Sequence, residues 1–384
     1  MSDEQKFDDS ALHAGIEKKA EIARKKDEVL EKELAVKTRR LDVELAKIHE
    51  RDKEAEIADT IDFSKVSLEE IQKIQKDNEE YILAARNRIR FMNEDFDKVI
   101  PFFQKNLILI GSETGFGKST TAANIISQTL SMKDKRNGKK ARMLVITNEE
   151  RPEDVFNRVS CLKLKRAYTE HDKFTDEDIA TFNKVIDVLA REGRLVVVHD
   201  TFGGARGVTT TVEGICQIFD NLIKNEEYFD AVLIDYYQNV NESRKNLSLN
   251  EWQVQALLAS KLDLYKNIYP APIVVFAQLK PSEGEHPAPF KTRIEGRKAI
   301  MNVATCVVEI VPRREDLMTE WRIHKNRFCG ESVGGSISTG YLNGQYVRVA
   351  DPDYVAKIAK MKEVRDIAEA DRAAGLDVPK NEDE

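Results

Sequence analysis

Apolar positions along the chain fall into three regimes. Residues 1–58 are dominated by charged residues and alanine, with no proline and Gly15 as the single glycine. Leu30, Leu34, Leu41, Leu45 and Ile48 recur at helical spacing, but Lys37 and Glu44 interrupt a strict heptad. A solvated single helix, a coiled coil or partner-docking arm, and a disordered segment all fit this pattern. Fully helical, about 50 residues would reach about 75 Å. The stretch DTIDFSKVS (59–67) breaks the pattern, and Ser67 followed by Glu70 reads as a capping box. It opens a second helix, predicted over 68–90, with Ile71, Ile74, Tyr81, Ile82 and Ile89 on one face.

From about residue 100 the period changes. LILIG, RMLVIT, RLVVVHD, AVLID, PIVVFAQL, TCVVEIVP and WRIHKNR are short apolar runs, most of them separated by helical stretches or loops. Continuous apolar strands alternating with helices predict an α/β fold with a mostly parallel sheet covered on both faces. GYLNGQYVRVA predicts a hairpin turning at Asn343-Gly344. A helix is predicted after 351, carrying Val355, Ile358, Met361, Val364 and Ile367, and LDVPKNEDE reads as a loose acidic tail. The predicted organisation is an arm (1–58), a linker helix (59–98), an α/β domain (99–350) and a C-terminal helix with its tail (351–384).

Composition narrows the class. The chain has 384 residues and a net charge of -7, so any nucleic-acid contact must come from a local basic segment. Cys161, Cys216, Cys306 and Cys329 are scattered without a CxxC pair, which fits reduced thiols better than a disulfide framework or a metal cluster. No apolar run is long enough to span a membrane, and the N-terminal stretch lacks a signal-peptide core. A soluble, cytoplasmic protein is expected.

The chemistry concentrates at LILIGSETGFGKST, a strand running into a glycine-rich loop that opens a helix. This is the layout of a phosphate-binding P-loop. Gly111, Ser112, Glu113, Thr114, Gly115, Phe116, Gly117, Lys118, Ser119 and Thr120 are the expected cradle for ATP. Gly115 and Gly117 let backbone N–H groups face phosphate oxygens, and the helix start adds its positive end. Lys118 would neutralise the β- and γ-phosphates, and Ser119 would ligate Mg²⁺. Ser112 stands where the motif usually has its first glycine, with Gly111 just before it. Asp235, ending the strand AVLID, is the candidate second metal-site residue. Glu149 and Glu150 directly follow RMLVITN, and either suits the polarisation of an attacking water or the capping of a helix. Gln278 ends PIVVFAQ and suits a γ-phosphate sensor or a surface amide. Lys325 and Arg327, two apart on a strand, share a face and suit a charge clamp or a solvated edge.

In this order the segments GSETGFGKST, VITNEERPEDVFNRV, HDTFGG, VLIDYYQNVNE, VVFAQLK and IHKNRFCG resemble the RecA-like motor of the bacterial replicative helicase family of the DnaB type, phage members included. The resemblance covers about residues 90 to 350. It implies an ATP- and Mg²⁺-dependent DNA helicase working as a homohexameric ring on single-stranded DNA, in the host cytoplasm for a phage-encoded member. It implies Glu149 as the catalytic glutamate, Asp235 at Mg²⁺ and Gln278 as the sensor. Lys325 and Arg327 would reach into a neighbouring subunit's ATP, and helix 68–90 would be the linker packing on that neighbour. DNA contact is expected from KPSEGEHPAPFKTRIEGRKAI, through Lys291, Arg293, Gly296, Arg297 and Lys298, and more weakly from Arg206 in ARGVTTT. The family's globular N-terminal domain is not recognisable; a charged arm stands in its place, as a possible contact for primase, a loader or another replisome protein. Two other readings share the P-loop: a filament-forming recombinase of the RecA class and an ATP-switched scaffold.

Overall fold

The structure is a computed structural model. It describes residues 68–86, 89–133, 138–200, 208–235, 237–240, 250–281, 288–294 and 299–373. The predicted arm, Ser67, Arg206, Gly296, Arg297, Lys298 and the acidic tail lie outside the described residues. The chain divides into two units, 1–76 and 77–384. Helix α1 (Leu68–Arg86) leaves Ile71, Ile74, Ile82 and Leu83 exposed. The short helix α2 (Glu94–Val99) is capped by Asn93, whose side chain accepts from two backbone N–H groups.

The apolar runs form strands in the predicted places: β1 (Leu107–Ser112), β2 (Met143–Thr147), β3 (Leu195–Val198), β4 (Ala231–Asp235), β5 (Ile273–Gln278), β6 (Cys306–Arg313) and β7 (Met318–Asn326). Strands β8 (Ser336–Leu342) and β9 (Gln345–Arg348) make the hairpin, with Asn343 at φ 50° and Gly344 at φ 80°. Positive φ at both central residues matches the twist of the flanking strands, which is why Asn-Gly marks such turns. The sheet order is β3-β2-β4-β5-β1-β6-β7-β8-β9. The pairs from β3 to β6 are parallel, and β6 to β9 form an antiparallel meander.

Because side chains alternate across a strand, each parallel strand feeds two cores. Ile108, Ile110, Met143, Val145, Leu233 and Phe276 enter one, packed with Ile125 and Ile126 of helix α3 (Lys118–Leu130). Helices α4 (Pro152–Lys163) and α5 (Asp176–Arg191) complete that face through Val155, Val159 and Leu189. Leu107, Leu109, Leu144, Ile146, Val232 and Val275 enter the other, against helices α6 (Val212–Lys224) and α7 (Glu251–Ile268). Short helices α8 (Phe290–Arg293) and α9 (Ala299–Val303) lead into β6, and α10 (Pro352–Ala373) follows the meander as predicted.

Gly111 sits inside β1 because nothing larger fits. A Cβ there would lie 2.7 Å from the Phe290 ring and 3.2 Å from Leu279. Gly111→Ala is therefore expected to destabilise the protein by about 1–3 kcal/mol. Urea denaturation measures it, and the combined Gly111→Ala/Phe290→Leu variant should regain part of the loss.

Candidate nucleotide-binding site

Parallel register assembles the site. Ser112 pairs with Gln278 and Thr147 with Asp235, so the carboxyl ends of β1, β2, β4 and β5 meet at one edge. In open α/β sheets that edge is where ligands bind. The loop between β1 and α3 turns through Gly115 at φ 78° and Gly117 at φ 89°, and Gly117 caps α3. A Cβ at Gly117 would also lie 3.2 Å from the Tyr346 hydroxyl. Lys118 and Ser119 open α3 directly after these turns.

The β8–β9 hairpin braces the start of that helix. Asn124 Nδ2 donates to the Gly344 carbonyl at 2.9 Å, and its Oδ1 accepts the Tyr346 N–H at 3.1 Å. Tyr346 and Thr121 hydroxyls lie 3.3 Å apart.

Thr147 sets the glutamates. Its Oγ1 accepts the backbone N–H of Glu149 at 3.3 Å and of Glu150 at 3.1 Å, which turns the chain immediately after β2. The Glu150 carboxylate pairs with Arg158 at 2.9 Å, and the Arg158 guanidinium lies 4.2 Å from the centre of the Tyr168 ring. Glu149 is exposed.

Asp235 is buried, and its Oδ1 has no hydrogen-bond partner. It lines a small cavity shared with Ser119, Thr147, Glu150 and Arg158. Burial, then the negative charges of Glu149 and Glu150, push its carboxyl up to about 7; Lys118 and Arg158 pull the other way. A buried carboxylate oxygen with no donor, facing a serine hydroxyl across a cavity, fits a hard divalent cation that takes oxygen ligands.

Gln278 connects two site elements. Its Nε2 donates to Thr114 Oγ1 in the P-loop at 2.7 Å. Gln238, just after β4, grips the Gln278 backbone with both ends of its amide, at 2.8 and 3.0 Å.

Lys325 and Arg327 do share a face, but at the far end of the sheet. Lys325 pairs with Val307, and Val307 with Leu109. Two strand spacings across and three residues along, the Lys325 backbone lies roughly 14 Å from that of Ser112. Both side chains turn further away: Lys325 Nζ donates to the Met301 and Asn302 carbonyls at 2.7 and 2.9 Å, and Arg327 Nη2 to Asn302 at 3.0 Å.

One expectation is corrected. Arg293 is not presented to a nucleic acid. It is buried, paired with Glu309 at 2.6 Å and with Glu113 of the P-loop. Its basic neighbour Lys291 is exposed. In HDTFGG, Asp200 accepts from Thr209 and Thr210 hydroxyls at 2.6 and 2.7 Å, closing the base of the segment that carries Arg206.

The family model of the DnaB-like helicase C-terminal domain matches residues 89–327. A structure of a DnaB-like replicative helicase and its interactions with primase superposes with a TM-score of 0.57 at 12% identity, over 74% of this chain and 67% of that one. A second solved structure, that of an isolated ATPase domain, superposes with a TM-score of 0.58 at 13% identity, over 73% of this chain and 98% of that one. At these identities the likeness concerns the fold. Comparison with curated proteins finds no match.

The raised Asp235 pKa predicts a pH-dependent cost. The folded, metal-free protein holds this proton where the unfolded chain, near 3.8, has released it, so stability falls as pH rises from about 4 through about 7. The loss is at most about 4 kcal/mol. Asp235→Asn should therefore raise the melting temperature in EDTA at pH 8, with little change at pH 4, and abolish stabilisation by Mg²⁺. Thermal unfolding at the two pH values measures both.

Proposed function

Because the chain belongs to the DnaB-like helicase C-terminal-domain family, we propose that it is an ATP-driven motor that translocates on single-stranded DNA as a homohexameric ring and unwinds duplex. The backbone of Gly111–Thr120, with Lys118, holds the triphosphate. Ser119 and Asp235 hold Mg²⁺, which when bound draws charge from the β- and γ-phosphate oxygens. Glu149 polarises the attacking water, since Glu150 is committed to Arg158. Gln278 senses the γ-phosphate from its contact with Thr114.

The observation that carries this reading is the distance between Lys325 and Arg327 and their own P-loop. Two cations at the opposite end of the sheet serve catalysis only if a second copy brings its P-loop to them. A finger supplied in trans is worth on the order of 10³ to 10⁵ in rate. A head-to-tail interface of this kind closes into a ring. Helix α1, with its exposed isoleucines, would pack on the neighbouring subunit. Lys291, Gly296, Arg297 and Lys298, and more weakly Arg206, would follow the strand's phosphates in the channel. Primase, a loader or another replisome protein would meet the N-terminal arm.

Mixing variants tests the shared site. Lys118→Ala and Arg327→Ala should each lose ATP hydrolysis by at least about 10³-fold. Mixed one to one and reassembled, they should recover up to about a quarter of wild-type turnover, because that share of head-to-tail interfaces pairs two intact halves. A mixture as inactive as its parents would place the finger in cis. Lys291→Ala/Arg297→Ala/Lys298→Ala should weaken single-strand binding and flatten the slope of log affinity against log salt by about 2. An unchanged slope would move the contact elsewhere.

A further inference from the structure

Arg293 came from a basic stretch expected to meet DNA, and the structure gives it different work. It ends α8, where the segment after β5 returns to the body of the protein. That segment is closed at its neck: the Lys280 N–H donates to the Arg293 carbonyl at 2.8 Å, and Leu279 bridges Ile294. The guanidinium then reaches in three directions. Nε donates to the Lys280 carbonyl at 3.2 Å, Nη1 to Glu309 on β6 at 2.6 Å, and Nη2 to Glu113 in the P-loop. The second Glu309 oxygen lies 2.8 Å from His324 Nε2, and the His324 ring stacks on Phe290 at 4.3 Å. Burial pushes the Glu309 carboxyl up, yet His324 and Arg293 hold it below the usual glutamate range.

Among the described residues, three contacts thus join the loop neck to the P-loop. Gln278 touches Thr114, Phe290 fills the space above Gly111, and Arg293 holds Glu113. Only the last is ionic. A glutamate within a phosphate cradle repels the anion that the cradle exists to hold, unless a cation neutralises it. Arriving phosphates compete with Glu113 for the positive end of Arg293, in surroundings where such interactions are little screened. The planar fork is rigid, so a change on one side moves the neck on the other.

We propose that Arg293 is a positioning residue: it neutralises Glu113 and ties the P-loop to the neck of the 280–294 segment, so that nucleotide state sets how strongly that segment holds a single strand. This rests on the motor reading above.

The test is the ratio of affinities for fluorescent oligo-dT in the presence of a non-hydrolysable ATP analogue and of ADP, read by anisotropy. Arg293→Lys retains the charge against buried Glu309 but loses the fork; Glu113→Gln acts from the more exposed partner. Each should bring the ratio at least about fivefold closer to one, within the usual span of coupling between sites. The double variant should go no further than the stronger single one, because both changes cut the same tie. If Arg293→Lys fails to fold, Glu113→Gln alone carries the test. Ratios within about twofold of wild type in the folded variants, or effects that multiply in the double variant, would overturn this inference and leave the motor reading standing. A wild type that binds no single strand with either nucleotide would overturn both.

Discussion

Strand β1 lies between β5 and β6 in parallel register, and that register decides where each charged group of the site falls. It sets Gln278 beside Ser112 and, two strands further, Asp235 beside Thr147. The same alignment, continued through β6 into antiparallel β7, sends Lys325 to the opposite end. A slip of one residue would turn Ile108 and Ile110 toward the other face, and both cores would lose their partners. The apolar packing that makes the sheet thus also makes the site: the residues that fix register are Ile, Val and Leu, and the residues that do chemistry are those at which the apolar runs stop.

Two buried charge arrangements at this edge behave oppositely. Arg293, Glu309, Glu113 and His324 satisfy one another, and Glu309 stays a carboxylate despite its burial. Removing one partner from such a set leaves an uncompensated charge, which is far costlier than never having had the pair. The Asp235 Oδ1 has no such partner, and the carboxyl retains its proton up to about pH 7. An aspartate placed this way weakens the metal-free fold. It persists where the unmet oxygen serves a ligand, the usual exchange of stability for function at a site.

The strands, the phosphate loop, Asp235 and the Asn343-Gly344 turn were legible in the sequence because each is written locally, as an apolar run, a glycine spacing or a turn dipeptide. The roles of Thr147, Gln238 and Asn124 were not. Each works through hydrogen bonds to backbone, which leave no compositional mark; Gln238 stood inside IDYYQ, and its grip on Gln278 appears only when β4 and β5 lie side by side. Arg293 shows the limit most plainly. Among Lys291, Arg297 and Lys298 it reads as one more solvated cation, and its partner Glu113 is 180 residues away. Nothing short of the folded chain separates a buried arginine from an exposed one in a basic segment.

Lys325 and Arg327 rest on the carbonyls that end α9. Burial, and then the adjacent Arg327 charge, push the Lys325 ammonium down from its ordinary value. Two cations held together are therefore partly satisfied by peptide dipoles and partly in conflict with each other. A neighbour's triphosphate would resolve the conflict, since its charge outweighs any carbonyl and favours both cations at once. On the proposed reading the resting contacts keep the pair ordered without making it active. Hydrolysis then waits on assembly, because the anion strong enough to draw the cations away belongs to another copy of the chain.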